Sequence, residues 1–165
     1  MQDPSEALVD QKQLREHLLS LLSGGNAHVD DKATLRGIPA KLRAVRPPGL
    51  PYSIWELLEH MRIAQWDILE FSRDAKHVSP EWPKGYWPAA GQKPTPAMWE
   101  KSLKAFTHDL TAMKKLVGNP KTDLFAPIPH GKGQTILREA LLVADHNAYH
   151  LGQILLVRRL LGNWK

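Results

Sequence analysis

Apolar residues repeat with the 3.6-residue period of an α-helix along four long segments, and this pattern limits the possible folds more than any other feature. No segment shows the sustained alternation of apolar and polar residues that is typical of a strand. Amphipathic helices of about 20 to 27 residues bury their apolar faces most simply against one another. The sequence therefore predicts an all-α protein, a four-helix bundle with long connecting loops, in a single domain over residues 1–165.

Capping signals predict where the first two helices begin and end. The first is expected over residues 4–23, with Asp3 as its N-cap and Gly24-Gly25 as its stop signal. The second is expected to begin directly after Ser53, because Ser53 and Glu56 have the spacing of a capping box.

Similar signals mark the other two helices. Thr95 can cap a third helix whose first residue is Pro96, and the fourth is expected from about Thr135 to Leu161. The segment 28–36 suggests a further short helix. The connections are rich in proline and glycine and span residues 25–52, 74–95 and 118–134. Loops of this length are often functional, and they leave the order of the helices around the bundle open.

The charge of the chain does not favour a nucleic-acid partner. The formal net charge is +5 and the sequence pI is about 9.5, but the basic residues are scattered and no basic stretch is interleaved with aromatic residues. A solvated basic surface is the simpler interpretation, and nucleic-acid binding is the alternative.

Other absences narrow the class of protein further. There is no apolar run of about 18 residues, so no membrane span is expected. The N-terminal sequence MQDPSEALVD lacks the features of a signal peptide, and we expect a cytoplasmic protein. The chain has no cysteine, so any metal ion must be bound through nitrogen or oxygen.

Two histidines, His146 and His150, lie in the most apolar segment of the chain. Residues four apart share one face of a helix, with Cβ atoms about 5–6 Å apart, so both imidazoles could bind one ion at about 2.0–2.1 Å. Neutral imidazoles in an apolar interior need polar partners. A hydrogen-bonded pair in the core would also meet that need, and the spacing alone leaves both interpretations open.

His60 is the best candidate for a third ligand, because it lies beside the apolar stripe of the second helix. Three nitrogen ligands would leave coordination positions open, as in catalytic metal sites. The alternative is a half-exposed surface histidine. The glutamates required by the H-E-x-x-H metalloprotease motif and by the Glu-x-x-His di-iron motif are missing, so a single ion is favoured over a pair.

Two segments, TILREALLVADHNAYHLGQILLVRRLLG and YSIWELLEHMRIAQWD, resemble the DinB/YfiT-like superfamily of metal-binding four-helix bundles. The resemblance implies that His60, His146 and His150 bind a divalent metal ion such as Zn, Ni or Fe. Families with this fold include transferases and isomerases that use low-molecular-weight thiols, as well as members with no assigned activity. The resemblance thus bears on fold and metal more than on reaction.

Three polar residues near the histidines are candidates for supporting roles. Gln153 lies one helical turn after His150, and Asn147 lies on the inner stripe, so both could orient a metal ligand or a substrate. Glu56 lies one turn before His60 and could accept its second ring proton. The competing role of Glu56, in the capping box, is the simpler one.

The remaining residues near the histidines are expected to have structural roles. Tyr149 is predicted to pack away from the His150 face, and Gly152 to allow close helix packing beside the site. In the second loop, Trp82, Tyr86 and Trp87 are predicted to anchor the chain, with a cover over an apolar substrate pocket as the alternative. The other histidines have no partner at helical spacing and are treated as non-ligands: His17, His28, His77, His108 and His130.

The leading functional hypothesis is a mononuclear metal-dependent enzyme acting on a small molecule, either as a hydrolase or as a transferase that moves a group to a low-molecular-weight thiol. The competing class is a non-catalytic bundle with a structural or stress-related role, whose metal is structural or absent. A homodimer could form through an outer face of the fourth helix. The apolar residues considered for that face are Leu137, Leu141, Ala148, Leu151 and Leu155.

Overall fold

The computed structural model describes residues 4–164, with side chains from residue 11 onward, and this part of the chain is helical. Its helices are α1 (Pro4–Ser23), α2 (Asp31–Leu35), α3 (Ile54–Arg73), α4 (Pro96–Gly118) and α5 (Ile136–Leu160). Two short 3₁₀ turns lie at Ala40–Leu42 and Lys84–Tyr86. The four long helices are those that the apolar period predicts, and α2 is the expected short helix. None of the described helices is both long and apolar enough to cross a membrane.

The predicted caps explain where the long helices begin. Ser53 and Glu56 form a complete capping box at α3, because each side chain bonds to the backbone N–H of the other residue. The Thr95 and Thr135 side chains accept hydrogen bonds from backbone N–H groups in the first turns of α4 and α5. The proposed cap Asp3 lies outside the described residues.

The packing of the long helices resolves the order that the sequence leaves open. Helix α3 contacts both α4 and α5, and α1 contacts the same two helices, so α1 and α3 lie at opposite corners of the bundle. The largest fully buried side chains include Trp55, Trp99, Phe106, Leu57 and Met61. A buried amide chain crosses this core, in which Asn147 donates to Gln65 and Gln65 donates to the Phe106 carbonyl oxygen. This arrangement brings the inner faces of α3 and α5 together.

The outer surface of α5 differs from the face predicted for dimerisation. Leu151 and Leu155 are buried within the chain, so they are not available to a partner. Tyr149 is 63% exposed, which contradicts its predicted packing role. The exposed large apolar residues of α5 are Leu141, Leu142, Tyr149, Leu156 and Leu160. Any self-association through α5 would therefore use this second set.

Gly152 does not serve close helix packing, contrary to the prediction. It is exposed, and a Cβ atom built at this position would have no neighbouring atom within 4 Å outside the local helix. Glycine in a helix interior costs about 0.5–1 kcal/mol relative to alanine. We therefore expect Gly152→Ala to raise the free energy of unfolding by about that amount, as measured by urea denaturation. A loss of stability would show that something does pack against this position.

Candidate metal centre

Helices α3 and α5 bring His60, His146 and His150 together. One nitrogen from each ring lies within 4.8 Å of the others, and no other group of three such side chains was found among the described residues. The Nε2 atoms of His60 and His146 are 3.1 Å apart. Nitrogens bound tetrahedrally at 2.0–2.1 Å from one ion are separated by about 3.3 Å, so this pair is already close to the spacing required. The cluster could hold a divalent metal ion.

Hydrogen bonds fix the rings of His60 and His150 in the orientation that suits a metal ligand. His60 Nδ1 donates to the Tyr86 carbonyl oxygen at 2.8 Å, and His150 Nδ1 donates to Gln153 Oε1 at 2.7 Å. Carbonyl oxygens can only accept, so each Nδ1 carries the hydrogen and each Nε2 has a free lone pair. Such outer partners commonly orient the histidine ligands of metal ions. The donor set therefore fits a nitrogen-bound divalent ion.

All three histidines are held in the neutral form that binds metal. Burial lowers the pKa of His146 to about 3, and the neighbouring His150 and His60 oppose its protonation further. Burial also lowers the pKa of His60 against the opposing effect of the Tyr86 carbonyl. The pKa of His150 is lowered by burial as well, although its hydrogen bond to Gln153 acts in the opposite direction. None of the three histidines is an imidazolium near neutral pH, so no charged histidine has to be neutralised before an ion binds.

The loop between α3 and α4 delivers the Tyr86 carbonyl to His60. The Tyr86 hydroxyl donates to Asp67 Oδ2 at 2.6 Å, and His77 Nε2 lies 2.7 Å from Asp67 Oδ1. Burial, followed by the hydrogen bond to Asp67, raises the pKa of Tyr86 to about 12, so the hydroxyl remains a donor. Asp67 thus binds both His77 and Tyr86, which lie nine residues apart in the loop, and holds this segment against α3.

Aromatic stacking fixes the plane of the His60 ring. The Trp87 ring lies 4.0 Å from the His60 ring at an angle of 5°, and Tyr52 stacks on Trp87 at 4.6 Å. Tyr86 is buried, whereas Trp82 is 72% exposed. Tyr86 and Trp87 therefore anchor the loop as predicted, and Trp82 does not.

Among the three predicted supporting residues, only Gln153 is shown bonded to a site histidine. The Glu56 carboxylate accepts from the backbone N–H and the hydroxyl of Ser53, and it pairs with Arg46. Since His60 Nδ1 bonds to a carbonyl oxygen instead, Glu56 is not its partner. Glu56 thus takes the capping role, the simpler of its two predicted roles. The Asn147 side-chain amide donates to Gln65, and its expected role in orienting a ligand or substrate stays a prediction.

Two residues near the cluster make contacts that the sequence patterns do not indicate. Asp67 lies in the helical sequence QWD without a recognisable motif, although its bonds hold the Tyr86 loop in place. Tyr149 is exposed, yet its ring makes an edge contact with His150 at 4.9 Å between centroids. The aromatic composition of the loop is the one sequence signal that points to its contact with the bundle.

We expect Asp67→Ala to weaken zinc binding about tenfold, because it releases the loop that carries the Tyr86 carbonyl, and losing the outer partner of a metal-binding histidine commonly costs 10–100-fold in affinity. Without the carboxylate, the Tyr86 loop loses its hold on α3. Competition with a chromophoric chelator measures the change. The matched control is Asp109→Ala, because Asp109 is also buried and also pairs with a histidine, His108, but outside the cluster. Equal zinc affinities for the two variants would contradict the role of Asp67.

Comparison with known proteins agrees with the resemblance inferred from the sequence. A family model described as the DinB superfamily matches residues 31–154, which include α2, α3, α4 and all three histidines. Searches of curated proteins and of solved structures found no match. The matched region covers well over half of the chain, and the chain belongs to the DinB superfamily.

Proposed function

We propose that this protein is a mononuclear metal-dependent enzyme that acts on a small molecule, with His60, His146 and His150 as ligands of one divalent ion such as Zn, Ni or Fe. The observation that carries the proposal is the meeting of three neutral imidazoles, two of which have their Nδ1 atoms bonded to carbonyl oxygens. When bound, such an ion acts as a Lewis acid that lowers the pKa of a water or thiol that reaches it.

The side chains around the histidines support catalysis rather than a closed structural site. Three protein ligands leave room for a reactant, whereas structural zinc sites usually have four protein ligands. The protein's own groups keep the His60 and His150 rings in place through Tyr86 and Gln153. Tyr149 is exposed, and its ring makes an edge contact with His150.

Two reaction classes follow from this arrangement. The chain has no cysteine, so a thiol reaction needs a low-molecular-weight thiol as a second substrate. The protein would then transfer a group to that thiol, and the alternative is a hydrolase that uses water as the nucleophile. We propose both classes for testing, in a protein that works in the cytoplasm.

The test compares metal-loaded and metal-free protein in two assays. One assay follows hydrolysis of p-nitrophenyl esters, and the other follows the conjugation of small thiols to 1-chloro-2,4-dinitrobenzene. We expect one of the two rates to follow the metal content and to be lost in His150→Ala. His108→Ala is the control, because the His108 side chain is 74% exposed and lies outside the cluster. Rates that are the same with and without metal would overturn the enzyme proposal and favour a non-catalytic bundle.

A further inference from the structure

An apolar pocket of about 100 Å³ lies between the segment before α3, α3 itself and α5. Its walls include Leu50, Tyr52, Leu57, Gln153, Leu156 and Val157. Gln153 contributes the only side-chain amide of the wall, and the other residues contribute mainly carbon atoms. A pocket of this kind, mainly apolar with few polar groups, is typical of a binding site for part of a small molecule.

One direct contact, one stacked chain of rings and one shared helix face relate this pocket to the histidine cluster. Gln153 lines the pocket and also bonds to His150 through Oε1. Tyr52 lines the pocket and stacks on Trp87, which stacks on His60. Leu57 also lines the pocket, three residues before His60 on α3, so both side chains lie on the same side of that helix. The pocket is therefore next to the cluster and shares its supporting residues.

The size and chemistry of the pocket limit what it can hold. An apolar cavity of about 150 Å³ is large enough to bind benzene, so this smaller pocket suits a branched aliphatic group of roughly three or four carbons. The Gln153 oxygen is occupied by His150, which leaves the N–H groups of its amide to donate to a ligand oxygen. The pocket thus favours a compact apolar group attached to an oxygen-bearing group.

We propose that this pocket binds the apolar part of the substrate while the reacting, oxygen-bearing end lies at the three histidines. The inference rests on the proposed function, because it needs a metal ion at the cluster. It adds a substrate class: small acyl compounds with a short branched aliphatic chain. The removal of apolar surface from water supplies the affinity, so each carbon buried in the pocket adds to it.

The test measures the binding of two metal chelators to the zinc-loaded full chain by isothermal titration calorimetry. Acetohydroxamate carries only a methyl group, whereas 3-methylbutanohydroxamate has three additional carbons in a branched chain. Both probes offer the same oxygen atoms to the ion, so a difference in Kd reports the site of the carbon chain. We expect the branched compound to bind about tenfold more tightly, which is less than complete burial of three carbons would give.

A substitution in the pocket wall locates the effect. Leu156 is 46% exposed and lines the pocket, so Leu156→Trp can fill the pocket without disturbing the core. Leu160→Trp is the matched control, because Leu160 lies one turn further along α5, is 56% exposed and is not part of the pocket wall. We expect Leu156→Trp to abolish the tenfold preference and Leu160→Trp to retain it, with acetohydroxamate binding equally to both.

The outcomes separate this inference from the proposed function. If zinc binds and the wild-type protein has the same Kd for both hydroxamates, the pocket assignment is wrong and the metal site stands. A preference that survives in Leu156→Trp would also overturn the assignment, since the carbon chain would then lie elsewhere. If zinc does not bind at all, the proposed function and the pocket assignment fail together.

Discussion

Replacing His146 by alanine is expected to lower the affinity for zinc by more than about a hundredfold. Loss of an outer partner alone costs 10–100-fold, and loss of a direct ligand should cost more. A ligand that binds only the folded state at a thousand times its Kd stabilises that state by about 4 kcal/mol. The increase in melting temperature that zinc gives the wild-type protein should therefore fall to about a third or less in His146→Ala, since a hundredfold weaker site is still partly filled at the same zinc concentration.

Two controls separate a lost ligand from a damaged fold. His108→Ala removes an imidazole from an exposed position outside the cluster, and it should retain the wild-type response to zinc. The circular dichroism spectrum of metal-free His146→Ala should match that of the wild type, because α5 is held by core contacts along its length. Zinc affinity that stays at the wild-type level in this variant would exclude His146 as a ligand.

The metal-free protein is expected to lose on the order of 2 kcal/mol of stability between pH 8 and pH 5 through His146 alone. Burial lowers the pKa of His146 to about 3, whereas an unfolded histidine titrates near 6.5. Between these two values the unfolded state binds the proton and the folded state does not. The contribution is therefore complete above pH 6.5 and is lost as the pH falls toward 3. The lowered pKa values of His60 and His150 act in the same direction.

Urea denaturation of metal-free protein from pH 5 to pH 8 measures this dependence. The slope of the unfolding free energy against pH should be smaller in His146→Ala than in the wild type, because the variant has lost one titrating group from the cluster. If the wild type is equally stable at pH 5 and pH 8, the histidines are not buried in the neutral form.

The helices and the three histidines could be predicted because their signals are local. The capping box of Ser53 and Glu56 requires only residues that are neighbours in the chain. The pair His146 and His150 shares a face through helical spacing, and the apolar stripe on α3 places His60 toward the interior. Each of these inferences uses the period of one helix, and the meeting of His60 with the pair was what the family resemblance implied.

Apart from Gln153, which lies on α5 itself, the supporting groups could not be predicted because they depend on the path of a loop. The partner of His60 is the backbone carbonyl of Tyr86, and a carbonyl group is present at every residue. The role of Asp67 becomes visible only when the loop returns to α3. The sequence allowed Glu56 either to cap α3 or to accept the ring proton of His60. The structure shows the capping role, together with a bond to Arg46, ten residues earlier in the chain.

The exposure of apolar residues on α5 was predicted wrongly because α5 is covered by more than the helices that its inner stripe contacts. Residues of both α1 and α4 lie in the same pocket wall as Leu151. Leu151 lies in the same pocket wall as Leu21 and Leu22 of α1, so an apolar residue that lies off the inner stripe is still buried. Gly152 is next in the chain and faces open space. Helical periodicity identifies apolar faces, but it does not determine how many of them the rest of the chain covers.

X-ray absorption spectroscopy of the zinc-loaded full-length protein tests the metal centre most directly. The expected result is one ion for each chain, bound by three imidazole nitrogens at about 2.0–2.1 Å together with an exchangeable oxygen ligand such as water. Fewer than three imidazole nitrogens, or much less than one ion for each chain after loading and removal of free zinc, would contradict a shared site of His60, His146 and His150.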